Sequence, residues 1–380
     1  MNIFYSFSSP QGDVAVDDAT LARPFIIRPF HDHPFIVLKD YFLAIKNLIL
    51  RDDATSLLTL LSRLWKREVE RTELDTLTIR YEKYGTLYHI SSAEITAKTE
   101  KVRIAVTTAV TDDSKETLER EVSLLERLNL QTRYSYLPQV YCKHAVEIQK
   151  AGGSEKLLMA LSQWFDTYHE WHFSKNPEGE ERIIVWDMES GYRFLPEQQT
   201  YEVIRQAAAI LTYYYNTQSF HRIFPWHHGG GDFVVKSEGG AVDVKLITVR
   251  GYEPFSLPEQ VIGDRFDAIV LFFLETTLKM RLDKYEGLGE STWVGDESLT
   301  KAAVDGFFQA LKAREYEGEN LAINLDEIIA HLKSLTEDEL KRLLRTLVDR
   351  FVQRETSDYS AVSVHLDEHA RDLHRALQGR

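Results

Sequence analysis

The stretch FPWHHGGGDFVVKSEGGAVDVKLITVRGY, residues 224–252, decides how this chain is read. Trp226, His227, His228, three glycines and Asp232 stand directly ahead of the apolar run Phe233–Val235. DFVVK and AVDVKLITVRGY then alternate on either side of Glu238-Gly239-Gly240, the pattern of a hairpin with a glycine turn. Three readings fit so much polar, flexible chain before a buried strand. One is a Gly-rich turn with its His rings packed on Trp226. The second is a transition-metal site from His221, His227, His228 and Asp232, since imidazole and carboxylate are proper zinc or manganese ligands. The third is a catalytic loop for phosphate chemistry.

Working outward, PEQQTYEVIRQAAAILTYYYN upstream reads as a long helix with Pro196 near its start. Downstream, LPEQVIGDRFDAIVLFFLETTLKMRL is apolar nearly all round in its middle, the mark of a buried central helix. SLTEDELKRLLRTLVDRF carries a capping box, Thr336 with Glu339, and an apolar face of Leu340, Leu343, Leu344, Leu347 and Phe351. Earlier in the chain the period is two. TLTIRYEKYGTLYHISSAEI, with a turn at Gly85, and KVRIAVTTAV predict three antiparallel strands. Ser114 is placed to cap a helix over KETLEREVSLLERL with a Leu118, Val122, Leu125, Leu128 stripe. YLPQVYCKHAVEI, EKLLMALSQWF and RIIVWDM then read as strands. Leu57, Leu58, Leu61, Leu64 and Trp65 mark a helix near the start, after the Pro-punctuated RPFIIRPFHDHPFIVL, whose His31 and His33 share one side if extended. Strands with one helix, more strands, a long helix, a hairpin and then many helices make an α+β chain.

The 380 residues are 43% hydrophobic and 27% charged, which allows two modest domains with real cores. A formal net charge of −14 argues against general binding to nucleic acid or anionic lipid. The single cysteine, Cys142, forms no internal disulfide and fits a reducing compartment. With no signal-like start and no apolar run near the ~18 residues of a membrane span, the expectation is a cytoplasmic protein. Gly-x-Ser-x-Gly, His-Glu-x-x-His and P-loop motifs are absent.

The element order resembles that of the protein-kinase-like superfamily, in its aminoglycoside phosphotransferase and choline kinase branch, over roughly residues 75–315. The resemblance implies a bilobal fold with a small antiparallel-sheet N-lobe and a larger, mainly helical C-lobe. It divides the chain into an N-terminal extended and helical segment (1–74), an N-lobe (75–165), a C-lobe (166–315) and a C-terminal helical extension (316–380). It implies a phosphotransferase, with ATP and Mg as cofactors, that moves a phosphoryl group to a hydroxyl of an unidentified small molecule. By the resemblance, Gly85 lies in the hairpin over the nucleotide phosphates. The family's strand Lys is missing; Thr107 stands near its place, and Arg103, on the same strand face, substitutes for it. Glu121 would be the helix Glu paired with that cation. In the catalytic loop, aligning DFVV puts Asp232 at the metal-binding Asn position and His227 at the position of the Asp base. The second metal-binding Asp is expected near Ile247 or Thr248; Asp243 comes a few residues early. His227 and Asp232 are thus the candidate catalytic residues, Arg103, Glu121 and Gly85 the candidate nucleotide residues, and Asp232, Asp243 and His228 the candidate metal ligands. Two other classes stay open: a catalytically inactive, pseudokinase-like binding or regulatory protein, and a metal-dependent enzyme built on His227, His228 and Asp232.

Overall fold

A computed structural model describes the chain except residues 10, 29–30, 86, 189, 228–230, 256–264, 288, 352–355 and 380. The architecture is α+β, 42% helical and 31% strand. Two compact units divide it: residues 1–127, 138–166 and 188–191 form the first, and 128–137, 167–187 and 192–380 the second.

The first unit contains β1 (Asn2–Phe7), β2 (Val14–Ala15), α1 (Asp18–Leu21), β3 (Pro24–Arg28), β4 (His31–Val37), α2 (Leu38–Ile49), α3 (Thr55–Trp65), β5 (Leu74–Tyr84), β6 (His89–Ala97), β7 (Glu100–Ala109), most of α4 (Asp112–Gln131), β8 (Val140–Lys150) and β9 (Gly153–Gln163). Its main sheet runs β2-β1-β5-β6-β7-β9-β8. All its pairings are antiparallel except β1 with β5, which is parallel. The segment before residue 75 therefore belongs to this sheet and its core: Ile3 and Tyr5 of β1 pack with Tyr41, Phe42 and Ile45 of α2 and Leu57 and Leu61 of α3. Leu77, Ile79, Ala93, Ile95, Ile104 and Val106 alternate onto that face. Leu118 and Val122 of α4 join Ala109, Leu158 and Ala160 in a separate cluster, on the face that Arg103 and Thr107 share by the same alternation.

The second unit contains β10 (His169–Lys175), β11 (Glu181–Asp187), most of β12 (Gly191–Phe194), α5 (Glu197–Tyr213), β13 (Arg222–Ile223), β14 (Phe233–Glu238), β15 (Ala241–Leu246), β16 (Tyr252–Glu253), α6 (Arg265–Lys279), β17 (Leu282–Asp283), β18 (Thr292–Trp293), α7 (Glu297–Tyr316), α8 (Leu325–Ser334), α9 (Glu337–Phe351), α10 (Thr356–Ser363) and α11 (Leu366–Gln378). It holds more sheet than the sequence suggests, a five-stranded β12-β11-β10-β14-β15. Glu238 faces Ala241 across Gly239 and Gly240, whose φ values of 58° and 87° are those of a two-residue hairpin turn. The middle of α6 is buried all round, as its composition predicts. The preceding Gly263-Asp264 lies outside the described residues.

Two caps differ in outcome. Thr336 and Glu339 form the predicted box: Glu339 N–H donates to Thr336 Oγ1 (3.3 Å) and Thr336 N–H to Glu339 Oε2 (2.9 Å). The helix after β7, however, starts earlier than Ser114. Thr111 Oγ1 accepts from Ser114 N–H, so Thr111 is the cap and Ser114 lies in the first turn.

Helices α5 and α7 meet at Gly306. A Cβ there would lie far inside contact with the Arg205 carbonyl and 3.0 Å from Ala209 N, both rigid backbone atoms. Gly306→Ala is expected to destabilise by about 1–3 kcal/mol, despite alanine's better helix propensity. Denaturant titration checks this; an unchanged midpoint would show that the two helices separate freely.

Candidate functional site

Strand β13 leads into the loop through Phe224 and Trp226, both buried. Trp226 meets Phe233 edge-on, ring centroids 5.9 Å apart. The loop closes on itself: His227 N–H donates to Asp232 Oδ2 (2.7 Å) and Asp232 N–H to the His227 carbonyl (3.3 Å). Across the hairpin, Ile247 N–H donates to the Asp232 carbonyl (2.8 Å). Arg250, three residues beyond Ile247, grips the Asp232 carboxylate with both terminal nitrogens, Nη1 to Oδ2 and Nη2 to Oδ1, each at 2.5 Å. The Asp232 side chain is 1% exposed and that of Arg250 29%.

This geometry bears on the expected metal ligands. Both Asp232 oxygens take N–H donors, and a guanidinium stands where a cation would sit. Asp243 pairs in register with Lys236, four positions along β14 from Asp232, which at a strand rise of about 3.3 Å per residue is about 13 Å. Its carboxylate accepts from Tyr168 Oη at 2.6 Å and lies 3.4 Å from Lys245 Nζ. Asp232 and Asp243 therefore do not share one metal ion, and among the described residues the groups around Asp232 do not fit Mg. His228 lies outside the described residues. Among the described residues, no group of three or more His, Cys, Asp or Glu side chains is arranged to hold a metal. His221 turns to Ser219, its Nδ1 2.9 Å from the hydroxyl, and His33 is buried with Nδ1 accepting from Ile36 N–H.

The His227 ring lies 3.9 Å from the Asp358 carboxylate, Nδ1 to Oδ2. Asp358 also lies 3.5 Å from Lys279 Nζ and accepts from Ser291 Oγ at 2.5 Å. Arg250, Lys279, Ser291 and Asp358 stand outside the candidate residues that the sequence predicts. The hairpin register is the signal that finds Arg250, because it returns the chain to Asp232 at Ile247. Asp358 comes from a distant helix and leaves no local signal.

In the first unit, Arg103 pairs with Glu94, its register partner on β6 (Nη2 to Oε2, 3.1 Å), and lies over the Trp164 ring at 5.6 Å. Glu121 is buried on α4. At Gly85 the N–H donates to the Tyr88 carbonyl (2.8 Å), and a Cβ would make only an ordinary 3.5 Å contact with that oxygen. The turn therefore does not demand glycine there.

Gly231 does answer to a demand. Its φ is +71°, and a Cβ would stand 2.5 Å from Glu170 Oε1. Glu170 in turn lies 3.4 Å from His172 Nε2, whose Nδ1 lies 3.6 Å from Asp283 Oδ1. Burial pushes the His172 imidazole down, but Asp283 and Glu170 outweigh it and lift its pKa to about 9. The folded value exceeds the ordinary 6.5. Its contribution to stability is therefore complete below about pH 6.5 and lost as pH rises through about 9. Wild type should lose stability across that window, and His172→Gln should lose the slope. An equal slope in both proteins would contradict this.

Among the described residues no helix is long and apolar enough to cross a membrane. Compared with protein-family models and with curated proteins, the sequence matches none.

Proposed function

We propose that the chain is a kinase-like protein that acts as a binding or regulatory module rather than a phosphotransferase. Three strands, a helix and a strand pair in the first unit, then a long helix, a loop, a hairpin and a buried helix in the second, support the kinase-like part of this reading. The Asp232–Arg250 pair carries the other part. Phosphoryl transfer depends on metal cations neutralising charge between phosphates. Here the loop carboxylate that would hold the metal is neutralised by the chain's own guanidinium. The strand that resembles the Lys-bearing strand offers Arg103, already engaged by Glu94.

Incubation with labelled ATP and Mg or Mn tests this. No turnover above buffer is expected, and any nucleotide-induced rise in melting temperature is expected to be the same with and without Mg. Metal-dependent turnover that disappears in Asp232→Asn would overturn the reading.

A further inference from the structure

The edge strands of the two sheets differ in what meets them. In the five-stranded sheet, outer groups of edge strand β15 are already taken. Gln206 of α5 donates Nε2 to the Val242 carbonyl (2.7 Å) and accepts from Val244 N–H (3.0 Å), while Leu246 N–H donates to the Tyr136 carbonyl (3.1 Å). In the seven-stranded sheet, one edge strand, β2, is only 2 residues long. The other is β8, 11 residues without a proline. Lys150 and Gly153 close the β8–β9 hairpin across a two-residue turn, so they form a hydrogen-bonded pair. Alternating back from that pair, Ile148, Val146, His144 and Cys142 bond to β9. Lys143, Ala145, Glu147 and Gln149 turn their N–H and C=O groups away from the sheet. Among the described residues nothing bonds to these outward groups. Such a row of donors and acceptors is a template for another strand.

We propose that β8 pairs with β8 of a second copy of this chain, antiparallel about a two-fold axis at Ala145. Outward groups meet outward groups only when odd-numbered residues oppose odd-numbered ones, and charge then selects the register. With the axis at Ala145, Lys143 faces the partner's Glu147 and Glu147 faces the partner's Lys143, two opposite-charge pairs on one face. Glu147 is exposed, and among the described residues it accepts through Oε1 alone, from Ser154 Oγ (2.8 Å) and Gln149 Nε2 (3.2 Å), which leaves Oε2 for the lysine. On the other face, Cys142 meets the partner's Ile148 and His144 the partner's Val146, extending the face by which Cys142, Val146 and Ile148 pack on the main core. Moving the axis by one residue sets Lys143 against the partner's Ala145 or the partner's Gln149 and loses both charge pairs. The register irregularity between Val140 and Cys142 lies at the end of the paired stretch. Identical edges paired about a two-fold axis use each other up, so the assembly closes at two copies. Dimerisation through β8 does not depend on what Asp232 binds.

Sedimentation equilibrium of the full chain over about 1–100 μM tests this. Wild type is expected to be a dimer at the upper end of that range. Lys143→Glu and Glu147→Lys each set like charges opposite one another twice, and each should weaken the dimer about ten-fold or more. The two substitutions together should restore it. Ala145→Pro removes an N–H that makes no bond within the chain, a change an edge strand tolerates, and should give a folded monomer. Should that variant fail to fold, the charge swap decides alone. A wild type that is monomeric at about 100 μM leaves β8 to some other strand or to none and overturns the proposal. So does a dimer unmoved by a folded Ala145→Pro, or a double charge swap that binds no better than either single change.

Discussion

Arg250→Ala is expected to destabilise the second unit by about 3–5 kcal/mol, the range for removing one partner of a buried ion pair. The Asp232 carboxylate left behind is 1% exposed and, among the described residues, keeps the His227 N–H as its donor. Asp232→Ala should cost less, about 2–3 kcal/mol, because the Arg250 side chain, already 29% exposed, can turn its charge toward water. This asymmetry separates the two roles of Asp232. A carboxylate kept for a metal is electrostatically frustrated without one, and its removal stabilises the fold, as relief of functional strain does. A carboxylate kept for Arg250 destabilises on removal. Denaturant midpoints at constant m-value measure both variants. A more stable Asp232→Ala, or an Arg250→Ala within about 1 kcal/mol of wild type, would contradict the structural role.

Glu275→Ala should be comparably severe, again about 3–5 kcal/mol. Glu275 on α6 receives Arg222 Nε at 2.7 Å and Nη2 at 3.1 Å, with the two side chains 2% and 5% exposed. The guanidinium is wedged between the Phe224 and Phe255 rings, 4.4 and 3.7 Å from their centroids, and Nη1 reaches the Glu253 carbonyl at 3.3 Å. Without Glu275 the guanidinium, its side chain 5% exposed, keeps among the described residues one carbonyl and two ring faces. Arg222 is the first residue of β13, so the pair fixes where the chain enters the 224–235 loop. Glu275→Gln keeps an oxygen acceptor for one guanidinium N–H and should cost clearly less than alanine. Equal losses for the two substitutions would mean that packing, and not the ion pair, holds the site.

Much of the fold is legible because its signals are local. Period-two runs give β5, β6, β7, β14 and β15, and the apolar middle of α6 gives a buried helix. The place of the first seventy-odd residues is not local. β1 joins β5 in parallel, and a short alternating strand does not name its partner. The candidate site divides in the same way. Residues 224–235 stand out in the sequence by composition, and the hairpin register ties Asp232 to Ile247. What neutralises Asp232 and what faces His227 depend on side chains brought in from elsewhere. Arg250 is 18 residues away, and Lys279 and Asp358 sit on helices whose patterns report only packing. A resemblance that supplies a metal ligand at Asp232 says nothing of the guanidinium that the chain itself places there.

The central claim is that Asp232 serves Arg250 and not a metal ion. Paramagnetic resonance of Mn(II), titrated with ATP into wild type and Asp232→Asn, tests it most directly. The account predicts the same Mn(II) binding in both proteins; a bound Mn(II) in wild type whose affinity falls about ten-fold or more in Asp232→Asn would contradict it.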